Sequence, residues 1–72
     1  MENEQLIKQI IDEGEALIRD KIKDNKNSSV GDIAYEVIDI LIEKYNIKHI
    51  RDILYLEPVL YVYAAYCKEM LK

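Results

Sequence analysis

The stretch IKHIRDILYLEPVLYVYAAYCKEML, residues 47–71, decides how many helices this chain contains. Ile47, Ile50, Ile53 and Leu54 recur at helical spacing and fall together on one side, which predicts a short helix over 47–56. Pro58 lacks the N–H that a continuing helix needs, and it disfavours helical geometry at Glu57. In the first turn of a new helix, by contrast, proline is well tolerated. The pattern therefore predicts a bend after Leu56 and a fourth helix over 58–71. A single kinked helix from Ile47 to Leu71 is the alternative reading.

Beyond the proline, at about 100° per residue, Val59, Leu60, Tyr63, Ala64, Tyr66, Cys67, Met70 and Leu71 form one wide apolar face, read as core. The opposite side ought to be polar. It holds Tyr61, Val62 and Ala65 instead, relieved only by Lys68 and Glu69. A helix apolar all round is either central in a larger core or part of an interface. A chain of 72 residues has too small an interior to surround one helix completely. Tyr55, Tyr61, Tyr63 and Tyr66 add four large amphipathic rings of the kind enriched at interfaces. Tyr55, Tyr61, Val62 and Ala65 are the expected partner or dimer interface, chiefly a contact between two copies of the chain.

Upstream, Leu6, Ile7, Ile10, Ile11, Leu17, Ile18 and Ile22 share one helical face and predict a helix over 3–24. Glu4/Lys8 and Glu15/Arg19 support its outer face as i,i+4 pairs. Gly14 falls near the centre of the apolar face, which calls for a bend or the close approach of another helix. DNKNSS, residues 24–29, is a loop, and Ser29 followed by Asp32 resembles a capping box. A second helix follows over 30–45, with Val30, Ile33, Ala34, Val37, Ile38, Leu41 and Tyr45 inward. Asn46 suits a left-handed C-cap. The expected fold is all-α: a compact three- to four-helix bundle making a single domain over 1–72.

Composition narrows the function. With one cysteine (Cys67) and one histidine (His49), the chain offers no internal disulfide and too few ligands for a zinc site. No cofactor or metal is expected. The net charge of -4 argues against a general nucleic-acid binder. MENEQ has no signal pattern, and the longest apolar run, Val59 to Cys67, spans nine residues where a membrane crossing needs ~20. A cytoplasmic protein without membrane contact is the expectation. Twelve Ile, eight Lys against two Arg, and no Phe, Trp or Thr reflect AT-rich codons, which points to a low-GC bacterium, its phages or its mobile elements.

No arrangement of nucleophile, base and orienting group recommends an enzyme. Two surface features remain. Asp32, Glu36, Asp39 and Glu43 span only about 60° of helical arc, an acidic stripe suited to a basic partner or to plain solvation. Segment 30–56 loosely resembles a helix-turn-helix, with Lys48, His49 and Arg51 as the DNA contacts of a transcriptional regulator. Against that alternative stand the long first helix, a turn without glycine, and the acidic stripe itself. The sequence favours a small non-catalytic protein–protein interaction module, a phage or mobile-element accessory protein that modulates a host protein.

Overall fold

A computed structural model describes residues 4–24 and 27–70. Three helices pack side by side: α1 (Glu4–Asp24), α2 (Val30–Tyr45) and α3 (Ile50–Met70). Asn3 and Leu71, included in the expected first and last helices, lie outside the described residues. The bundle is elongated, with extents of 37 × 18 × 17 Å. Among the described residues no helix is long and apolar enough to cross a membrane.

The ends of α2 follow from local chemistry. Ser29 sits in an extended conformation and its hydroxyl accepts the Asp32 N–H at 3.1 Å, satisfying one of the helix's orphan donors. At the other end Asn46 is left-handed (φ 53°, ψ 49°), and its N–H returns to the Ile42 carbonyl. Ile47 N–H also reaches the Ile42 carbonyl, at 3.0 Å. That bond ties Ile47 to the end of α2, so the next helix begins at Ile50 and not at residue 47 as the apolar spacing predicts.

The larger correction concerns Pro58. Helices over 47–56 and 58–71 do not exist as separate elements: α3 is one helix with Pro58 inside it, nearer to the alternative reading. Packing explains why. Leu56 and Leu60, on either side of the proline, are both fully buried on the same face. Removing two leucines from water contributes roughly 3–6 kcal/mol, against a loss of ~3 kcal/mol for proline in a helix interior. Pro58 itself is on the exposed side, as is Leu54, whose carbonyl loses its helical donor to the proline.

The core is Ile10, Ile18 and Ile22 from α1; Ile33, Ala34, Val37, Ile38 and Leu41 from α2; and Leu56, Leu60 and Ala64 from α3. It contains no aromatic ring. Gly14 is buried against the other two helices: a Cβ there would lie 3.0 Å from Leu41 Cδ1 and 3.0 Å from Leu60 Cδ2. Close approach is therefore the reason for the glycine.

The bundle runs up, down and up. Lys21 pairs with Glu36 at 2.8 Å and Lys44 with Glu13, which sets α1 and α2 antiparallel. Tyr61 lies over Gly31, and Lys68 donates to the Ser28 carbonyl, which sets α3 antiparallel to α2 along its length.

Candidate interaction surface

The phase of α3 builds the surface. Leu56, Leu60 and Ala64 mark its buried meridian. At about 100° per residue the opposite side carries Arg51, Leu54, Tyr55, Pro58, Tyr61, Val62, Ala65, Tyr66 and Glu69, all exposed, with Val59 half-buried at one edge. Val62 and Leu54 expose 66% and 58% of their surface, values expected of charged side chains and not of aliphatic ones. The four residues expected at an interface, Tyr55, Tyr61, Val62 and Ala65, are thus brought together on one outer band.

Sequence reasoning missed two members of that band, Leu54 and Tyr66, and misplaced Ile50 and Met70 beside it. Tyr66 and Met70, expected in the core, are 60% and 66% exposed. Leu54, grouped with a short helix's inner face, points outward, as does Ile50. Two causes act. Breaking the chain at Pro58 leaves the rotation of 47–56 free relative to 58–71, whereas a continuous helix turns Leu54 away from Leu60. Tyr66, about 120° from Leu60 within one segment, falls inward only when the core face of 58–71 is drawn too wide.

Two polar groups of α3 are engaged away from this face. Lys68 is half-buried against α2, where its ammonium donates to the Ser28 carbonyl. Tyr63 turns toward α1 and its hydroxyl accepts from Arg19 at 2.7 Å, so Arg19 reaches across to α3. Beside the band, a groove of about 310 Å³ opens between α2 and α3. Ala34, Tyr35 and Ile38 form one wall; Glu57, Pro58, Tyr61 and Val62 form the other. Tyr35, 55% exposed, extends the aromatic surface onto α2.

The acidic stripe lies outward on α2, with Asp32, Glu36, Asp39 and Glu43 all exposed. It is not free of cations, because Lys21 from α1 closes on Glu36. Elsewhere between α1 and α2, Glu13 receives the Lys44 ammonium. That hydrogen bond holds the Glu13 carboxyl below its ordinary range despite the opposing effect of partial burial, helped by the Tyr45 hydroxyl and the charge of Lys44. The same bond raises Lys44. One Glu13 oxygen, Oε2, is buried without a hydrogen-bond partner.

Lys48, His49 and Arg51 are all exposed at the turn into α3, around an open depression of about 810 Å³ that also touches Leu6 and Ile10. The helices on either side of this turn run antiparallel, with Tyr61 over Gly31 and Lys68 on Ser28. A helix-turn-helix instead splays its helices at ~90–120°. Among the described residues no group of three His, Cys, Asp or Glu side chains could hold a metal ion. Cys67 is half-buried and unpaired. Comparison with family models, curated proteins and solved structures finds no match to this chain.

Proposed function

We propose that this chain is a small non-catalytic helical interaction module that docks a protein on the outer face of α3. One observation carries the reading: Leu54, Tyr55, Tyr61, Val62, Ala65 and Tyr66 are all exposed on a single helical face. An apolar patch at the upper end of what a monomer leaves in water is often a binding surface. The AT-rich residue usage supports an accessory protein of a phage or mobile element, acting on a host protein in the cytoplasm. Asp32, Asp39 and Glu43, exposed and without an ion pair, favour a partner with basic character, whose association weakens as salt rises.

The test compares tagged wild type with Tyr61→Lys/Val62→Glu for capture of proteins from a low-GC bacterial lysate. The variant should lose the specific partner while its far-ultraviolet circular dichroism stays unchanged, since both side chains lie outside the core. A folded variant that retains the same partner would remove the outer face of α3 from the reading.

A further inference from the structure

Resting on that docking face, we infer that a second copy of this chain occupies it, with the two α3 helices antiparallel and the two-fold axis over Leu60. Leu60 is fully buried, and the outward meridian of α3 runs opposite it. Arg51 and Glu69 both fall on that meridian, nine residues before and nine after Leu60, a separation of ~27 Å along the axis. A parallel copy would set Arg51 on Arg51 and Glu69 on Glu69. The antiparallel copy sets Arg51 of each chain on Glu69 of the other, closing the band at both ends with opposite charges.

The residues between them meet across the same axis. A two-fold keeps each residue on its own side of the seam, so Leu54 meets Ala65 of the second copy, Tyr55 meets Tyr66 ring to ring, and Pro58 and Val62 share the central layer. Helices crossing at about 20° keep contact over such a length. The surface is sufficient for the purpose. Tyr55, Tyr61 and Tyr66 expose 54%, 47% and 60% of their area, which at ~200 Å² per ring side chain is roughly 300 Å². Leu54, Pro58, Val62 and Ala65 bring the band to about 500 Å², the upper range for a monomer's largest apolar patch. Two facing copies then bury about 1,000 Å², the lower bound of a specific interface. The band carries one cation and one anion, so it has no local excess of charge to oppose a second copy; the exposed acidic stripe lies on α2.

Sedimentation velocity at low salt over a concentration series, with charge reversals at the two ends, tests the arrangement. Wild type should dimerise. Arg51→Glu and Glu69→Arg should each weaken the dimer by ~10-fold, since each turns two attractions into two repulsions. The double variant Arg51→Glu/Glu69→Arg should recover wild-type affinity, because only antiparallel packing exchanges the two charges. A dimer not restored in the double variant overturns the antiparallel register. Wild type that stays monomeric at ~100 μM overturns self-association outright, and capture of a host protein lost with Tyr61→Lys/Val62→Glu would then leave the docking face standing. Absence of both dimer and captured protein overturns both readings.

Discussion

Gly14 offers the sharpest test of how the three helices meet. In an exposed helix, Gly→Ala stabilises by ~1 kcal/mol through backbone entropy. Here the added methyl meets Leu41 Cδ1 at 3.0 Å and the two Leu60 methyls at 3.0 and 3.2 Å. Both leucines are fully buried, so neither can swing aside into open space. Overpacking of this kind costs ~1–3 kcal/mol, which outweighs the entropic gain and leaves Gly14→Ala destabilising by about 1 kcal/mol. In a Leu60→Ala background two of the three close contacts vanish, and Leu41 gains room to move. The same substitution should then stabilise by about 1 kcal/mol, a coupling of ~2 kcal/mol between sites in contact. Leu60→Ala alone costs ~2–5 kcal/mol, a large share of the roughly 4–11 kcal/mol expected of a chain this size. The cycle is therefore run by urea unfolding in trimethylamine oxide, which favours burial and keeps all four variants folded, at one fixed protein concentration. If Gly14→Ala stabilises wild type, or shifts both backgrounds equally, the close approach at Gly14 is wrong.

Two further outcomes follow from the same structure. Pro58→Ala, made in the Tyr61→Lys/Val62→Glu background so that association does not intervene, should raise stability by ~2 kcal/mol, because an interior N–H is restored. A proline heading its own helix would give no gain, and a thermal melt separates the two. Glu13 titrates below its ordinary 4.5 because Lys44 stabilises its charged form, so its contribution is complete above pH 4.5 and fades as pH falls through the folded value. Lys44, raised above 10.5, loses its share only as pH climbs beyond that. The stability difference between wild type and Glu13→Gln should thus be level near neutrality and shrink in acid; a difference constant down to pH ~2 would show the pair to be inert.

Much of the candidate surface was legible before any coordinates. Tyr55, Tyr61, Val62 and Ala65 stand out because apolar residues occupy positions that a helix of this size cannot bury. Leu54 was not legible, since its direction depends on a rotation that the proline seemed to interrupt; Tyr66 was lost because the core face of 58–71 was drawn too wide. Lys68 looked like relief for the outer face, yet its ammonium is drawn to a loop carbonyl forty residues away in sequence. Long, flexible side chains choose partners that local spacing does not announce.

The sequence by itself determined α1 and α2, their limits and most of their inner faces, Leu6 being exposed near the start of α1. Those are local matters: a 3.6-residue apolar period, a serine hydroxyl three residues from the N–H it caps, an asparagine that tolerates a left-handed turn. Only the tertiary structure decided that α3 continues through Pro58. Local chemistry there favours a break, and the balance is tipped by Leu56 and Leu60 burying themselves against α1 and α2. That gain exists only once the other two helices are in place, and it is what turns the remaining apolar side of α3 outward.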